Sequence, residues 1–192
     1  PLVSKHWFLN VQKIKATVIP VTSGIELFLW NGVEAVTVML YNEYNQLIES
    51  GIDEHELKVF WVKDYGYNIP EDGIYCTEKM LKENPEICRL FALASLEGWR
   101  EALENPKKAL KVVKKYMRPE GLPFSPTHQL WMLNSMKKLL VDEHGISANL
   151  SKKSFDITCE LLKKGGYIKR PPDFNEFYRP VIKNFKLQGS GK

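Results

Sequence analysis

The chain lacks most of the features that would assign it at a glance. No run approaches the ~18 to 20 consecutive apolar residues of a membrane-crossing helix, and the first residues do not show the basic-then-apolar pattern of a secretory leader. Cysteine is scarce: Cys76, Cys88 and Cys159 have no C-x-x-C or Cys/His spacing, which excludes a disulfide framework and a zinc ribbon. They are expected to be small, half-buried side chains. Neither sign of charge dominates, since 27 Lys and Arg against 23 Asp and Glu leave +4, and the basic residues are dispersed over helix faces. No nucleic-acid partner is implied. There is no G-x-S-x-G, P-loop, G-x-G-x-x-G, H-E-x-x-H or EF-hand loop. The histidines His6, His55, His128 and His144 are far apart in sequence and read as solvated surface side chains. No catalytic residue, metal ligand or cofactor is expected.

What the chain does have is a globular balance. With 44% hydrophobic and 11% aromatic residues over 192 positions, disorder is excluded and there is enough apolar surface for a sizeable core. It begins at Pro1 rather than methionine and is expected to be a mature form or part of a longer polypeptide. Its first half alternates short apolar runs with short helical patterns. Residues 13–21, 35–40 and 57–62 read as strands, 24–30 as a helix capped by Ser23 and stopped at Asn31-Gly32, and 41–50 as a helix ending at Gly51. Strand, helix, strand, helix, strand is the pattern of a mostly parallel α/β sheet.

The second half reads as helical. Asn84-Pro85 and Asn105-Pro106 each place a capping Asn before a Pro at the first helical position, which predicts helices over 85–104 and 106–117 with apolar stripes facing a core. Ser125-Pro126 and Ser151 start two more, the latter ending at Lys163-Lys164-Gly165-Gly166, and 173–185 reads as a short last helix. Trp30, Trp61, Trp99 and Trp131 lie on apolar faces and are expected in the core.

One cluster carries chemistry. Tyr41-Asn42-Glu43-Tyr44 follows the apolar run 35–40, and in open α/β sheets ligands bind where a strand hands over to a helix N-terminus. Glu43 can accept from an amino group or a protonated ring nitrogen, Asn42 can donate and accept, and a tyrosine can stack on a flat ring. These types suit a small polar heteroaromatic ligand; they equally suit a plain helix start with two tyrosines packed on the sheet. The segment Asp64-Tyr65-Gly66-Tyr67-Asn68 offers a second set of ring and amide groups, or simply a tyrosine-rich turn.

A wider pattern runs through these residues. It comprises Gly24-Ile25-Glu26-Leu27-Phe28, Met39-Leu40-Tyr41-Asn42-Glu43-Tyr44, Asp64-Tyr65-Gly66 with Asn68-Ile69-Pro70-Glu71-Asp72-Gly73-Ile74-Tyr75, and Asn84-Pro85 with Gly98-Trp99 and Asn105-Pro106. His128-Gln129-Leu130-Trp131-Met132-Leu133 and Phe174 with Phe177-Tyr178 complete it. In order and spacing it resembles the thiamine-pyrimidine-precursor family of bacterial substrate-binding proteins for ABC importers, which is related to the yeast pyrimidine synthase of thiamine biosynthesis. The resemblance implies an α/β, type II periplasmic-binding-protein-like two-lobed fold, here partial, with a parallel-rich sheet followed by a mostly helical C-terminal half. Residues 1–66 would belong to the second lobe, 67–75 to the interlobe crossover, 76–186 to the C-terminal helical part of the first lobe, and 187–192 to a tail.

The same resemblance implies an extracytoplasmic, membrane-associated protein, periplasmic or extracellular. It would capture a thiamine-related aminopyrimidine and deliver it to an ABC permease. Glu43 would hydrogen-bond the aminopyrimidine edge, Tyr41 and Asn42 would line the same wall, and Tyr65 and Asn68 would contribute from the second cluster. The N-terminal lobe half that family members carry before the position of Gly24 has no counterpart here, and a missing N-terminal segment of the same protein is the expected partner. The pyrimidine synthase carries a cysteine-rich run before the position of Ile74-Tyr75. Here that place reads Tyr67-Asn68-Ile69-Pro70-Glu71-Asp72, so binding rather than an enzyme is expected. A ligand-sensing input domain of a membrane receptor is the alternative, separable by a transmembrane helix and signalling domain in the adjoining sequence.

Overall fold

A computed structural model describes residues 8–10, 12–21, 24–66, 69–70, 72–142, 145–146 and 149–180. In chain order the helices are α1 (Glu26–Leu29), α2 (Glu43–Glu49), α3 (Glu78–Glu83), α4 (Pro85–Glu104), α5 (Pro106–Met117), α6 (Pro126–Leu140), α7 (Lys152–Lys164) and α8 (Phe174–Phe177). Two 3-10 turns, Glu54–Glu56 and Val62–Tyr65, follow α2, and strands β1 (Val141–Asp142) and β2 (Gly145–Ile146) follow α6. The described residues of Pro1–Gly24, His55–Ile74 and Asn149–Pro180 form one compact unit, and those of Ile25–Glu54 and Tyr75–Ala148 another.

The helix ends follow local chemistry closely. α1 stops where Asn31 takes a left-handed φ of 54°, so that Gly32 N–H returns to the Leu27 carbonyl at 2.7 Å and Asn31 N–H to Phe28 at 3.0 Å. α7 stops in the same way at Gly166, φ 74°, with Tyr167 N–H on the Leu162 carbonyl at 2.9 Å. At their starts, the Ser125 and Ser151 hydroxyls accept from His128 N–H at 3.2 Å and Ser154 N–H at 3.0 Å. Asn84 and Asn105 begin α4 and α5 as expected, but their side chains turn back to Met80 Sδ (3.7 Å) and Glu101 Oε1 (3.4 Å) instead of capping. Ser23, expected to cap α1, and residues 181–185 of the last expected helix lie outside the described residues.

The expected sheet is a different matter. Residues 13–21, 35–40 and 57–62 form no paired strands among the described residues, where the paired strands are β1 and β2, antiparallel with Val141 opposite Ile146 and Asp142 opposite Gly145. β-Branched composition marks a segment as able to be a strand, but the ladder needs a second segment to supply its hydrogen bonds. The run 35–38 still alternates strand-fashion, with Ala35 and Thr37 exposed and Val36 and Val38 half-buried.

In the unit holding α1 to α6, α2 packs on α6, α6 on α5, and α4 on both α5 and α6. Its buried apolar side chains are Ile25, Tyr44, Leu47 and Ile146. The stripes of α4 and α5, expected in the core, leave Ile87, Leu90, Phe91, Val112 and Val113 exposed, because no described segment lies over that face. Trp30, expected to be core, is 76% exposed, while Trp61, Trp99 and Trp131 are half-buried. The other unit buries Phe155, Cys159 and Leu161 from α7. Phe155 meets Phe174 edge-on at 5.1 Å between centroids and Phe177 at 5.3 Å, which ties α8 to α7.

Candidate functional site

The turn 39–42 leads into α2 and closes with Asn42 N–H on the Met39 carbonyl at 3.1 Å. Glu43 is the first residue of α2, where free N–H groups favour a carboxylate. Its side chain folds back so that Oε2 accepts the Met39 N–H at 2.9 Å, and Oε1 accepts the Asn42 amide at 3.2 Å. Glu43 is half-buried, and among the described residues no Lys or Arg pairs with it. An ionised carboxylate has about four lone-pair sites, so each oxygen keeps capacity for a further donor.

Asn42 stands at the N-cap of α2 but does not cap it. Its carboxamide oxygen instead accepts from Gln46 Nε2 at 2.9 Å, one turn along α2, and meets His128 Nε2 at 3.0 Å. The other ring nitrogen, His128 Nδ1, lies 3.0 Å from the amide nitrogen of Asn45. His128 is in the first turn of α6 and 9% exposed, and Asn45 is buried beside it. Three residues further along the same face of α6, Trp131 donates its indole N–H to the Leu40 carbonyl at 3.1 Å. His128 and Trp131 thus fasten α6 to the turn that presents Asn42 and Glu43. This overturns the expectation that all four histidines are solvated; His55 is exposed, and His6 and His144 lie outside the described residues.

Tyr44, beside this site, and Cys88, in the same unit, are among the groups displaced from their ordinary ionisation. Burial, with Glu54 adding to it, pushes the Tyr44 phenol up. The Cys88 thiol, in the first turn of α4, is pushed up by burial and by the neighbouring Cys76 thiol. Of the three cysteines, all free, Cys76 is exposed, Cys88 half-buried and Cys159 buried.

Of the residues selected from sequence, Tyr41, Asn42 and Glu43 stand together, all half-buried, at the start of α2. Tyr65 belongs to the other compact unit, where it closes a 3-10 turn and meets Phe8 edge-on at 5.0 Å. Asn68 lies outside the described residues. Sequence reasoning passed over His128, Asn45 and Gln46. The available signal was a histidine three residues before Trp131 on an otherwise apolar helix face, a polar group that needs partners when buried. Among the described residues, no group of three or more His, Cys, Asp or Glu is placed to hold a metal.

The class of protein follows from comparison with known chains. Residues 8–109 match the family model described as NMT1/THI5 like, and the chain belongs to that family. Its members are substrate-binding proteins of the periplasmic-binding α/β class, typically extracytoplasmic, with thiamine-synthase relatives among them. A curated relative, the riboflavin-binding protein RibY of Chloroflexus aurantiacus, is 26% identical over 147 residues, covering 71% of this chain and 38% of its own length. The chain therefore spans well under half of the curated relative it matches. No solved structure matches. No described helix is long and apolar enough to cross a membrane.

Proposed function

We propose that this chain is part of an extracytoplasmic solute-binding protein that captures a small planar nitrogen heterocycle, in the first instance a thiamine-related aminopyrimidine, for an ABC importer. The observation that carries this reading is the Glu43 carboxylate. It is half-buried at the start of α2, held by Met39 N–H and Asn42, and paired with no cation among the described residues. A carboxylate fixed by neutral donors keeps its charge for a ligand N–H. Tyr41 adds a ring to the same wall, and Tyr65 and Asn68 are proposed to contribute from the second cluster. A flavin is the second reading, favoured by RibY, whose name states riboflavin binding.

The wider architecture belongs to the proposal as well. The runs 13–21, 35–40 and 57–62, which form no paired strand among the described residues, and the exposed apolar stripes of α4 and α5 are those of a sheet and a helical layer awaiting cover. We read the rest of a longer polypeptide, its N-terminal lobe above all, as supplying it and completing the parallel-rich, two-lobed fold. Residues 1–66, 67–75 and 76–186 are then second lobe, crossover and first lobe. The reading is of a binder rather than an enzyme, periplasmic or extracellular and held at the membrane through its permease. A receptor input domain would differ in what the polypeptide carries beyond the binding module.

Titration calorimetry of the full-length protein with hydroxymethyl-aminopyrimidine and with riboflavin tests the proposal. Binding of one of them, with Glu43→Gln weakening it by about 2 to 3 kcal/mol, is the expected result, because the ligand's buried donor loses a charged acceptor. Unchanged affinity in Glu43→Gln removes Glu43 from the site.

A further inference from the structure

His128 has two partners and a single tautomer that satisfies both. Asn45 presents its amide nitrogen, a donor, to Nδ1 at 3.0 Å, and Asn42 presents its carbonyl oxygen, an acceptor, to Nε2 at 3.0 Å. A neutral imidazole with its proton on Nε2 accepts from Asn45 and donates to Asn42. The other tautomer would set N–H against N–H at Asn45 and lone pair against lone pair at Asn42. The ring is buried, so neither mismatch could be relieved by water. The Asn42 oxygen also receives the Gln46 amide at 2.9 Å, so both its lone pairs are engaged. What Asn42 has left to offer is N–H, beside a Glu43 carboxylate that offers only acceptors.

We propose that His128 is a positioning residue for ligand recognition: as the Nε2–H tautomer it fixes the Asn42 carboxamide with its oxygen turned inward, so that Asn42 and Glu43 together read a planar heterocycle through an acceptor next to a donor. The inference rests on the binding role proposed above. It deepens that role by stating the ligand class. A ring nitrogen beside an exocyclic amino group has that pattern, and so does a ring carbonyl beside an imide N–H; the first belongs to aminopyrimidines and the second to flavins. Without His128 the Asn42 oxygen keeps only the Gln46 donor, so the hold on its orientation is weakened, and a flipped carboxamide presents an acceptor where the ligand also has one.

Three variants separate this role from a general contribution to folding. In His128→Gln the side-chain amide reaches the place of Nε2 and can still donate to Asn42. In His128→Asn it reaches only the place of Nδ1 and can still accept from Asn45. In His128→Ala both bonds go. In the full-length protein, with calorimetry against hydroxymethyl-aminopyrimidine and riboflavin, His128→Ala and His128→Asn are expected to weaken the binding probe by about tenfold or more. His128→Gln is expected to restore affinity to within about threefold of the wild type, although Gln and Asn variants each lose one buried hydrogen bond and should melt at similar temperatures. Equal affinities for the Gln and Asn variants, or affinities that simply follow melting temperature, overturn the proposal.

If neither probe binds the wild type, the ligand reading fails while the positioning claim is decided by nitrogen-15 NMR of the same proteins. The His128 ring should carry its proton on Nε2, and the Asn42 side-chain amide signals should move in His128→Asn and hold in His128→Gln. A proton found on Nδ1 overturns it.

Discussion

Tyr44 joins burial to ionisation most directly. It is 9% exposed, and burial together with Glu54 raises its phenol above the ordinary value of 10.0. A phenol whose folded value is raised holds its proton in the folded state after the unfolded chain has lost it. Its contribution is therefore complete below about pH 10 and is lost as pH rises through the folded value. Urea unfolding between pH 8 and 11 should show stability falling above pH 10, and Tyr44→Phe should flatten that fall. Leu161 makes the corresponding case for packing. At 1% exposed it is the most enclosed large side chain among the described residues, and Leu161→Ala is expected to cost about 2 to 5 kcal/mol in the unit built on α7. A urea midpoint within error of the wild type would show that α7 closes over the cavity.

At the scale of elements, the helices were legible because their signals are local. Asn-Pro, Ser-Pro, Lys-Lys-Gly-Gly and Asn-Gly act through dihedrals and hydrogen bonds within one turn, and the observed limits of α4, α5, α6 and α7 follow them. Gly166→Ala, which places a side chain at φ 74°, should destabilise the α7 end by about 1 kcal/mol in thermal unfolding. The strand runs were legible only as propensity, since pairing depends on a segment that no local pattern names. The site divides in the same way. Tyr41, Asn42 and Glu43 announce themselves by following an apolar run, whereas His128 meets Asn42 across 86 positions of sequence and declares itself only in three dimensions. The α3 and α4 corner gives a further test. Cys88 is half-buried and raised by burial and by Cys76, so iodoacetamide should label it more slowly than exposed Cys76 and only at higher pH. Cys76→Ala should bring that pH threshold down, as followed by mass spectrometry of the labelled peptides.

At the scale of the whole molecule, apolar side chains that local pattern assigns to a core remain in contact with solvent. Ile87, Leu90 and Phe91 share one face of α4 at helical spacing, and each is more than half or half exposed. The 192-residue chain on its own should bind the dye ANS and elute larger than a monomer. Replacing these three residues with Lys or Glu should reduce both effects without loss of helical circular dichroism. Unaltered dye binding in that variant would mean that other surfaces are responsible.

Asn84 and Asn105 are each the single residue between one helix and the next, with φ and ψ of −138° and 55° at the first and −127° and 63° at the second. α3, α4 and α5 are therefore jointed end to end with no slack between them, and the twenty residues of α4 act as a rod about 30 Å long. A twist of about 10° at Asn84 alone would sweep the far end of that rod through about 5 Å. The proline after each joint stiffens it by fixing the next dihedral. Two backbone torsions per corner thus hold leverage over the placement of a whole helix, and small chemical changes at those two asparagines should be felt far beyond them.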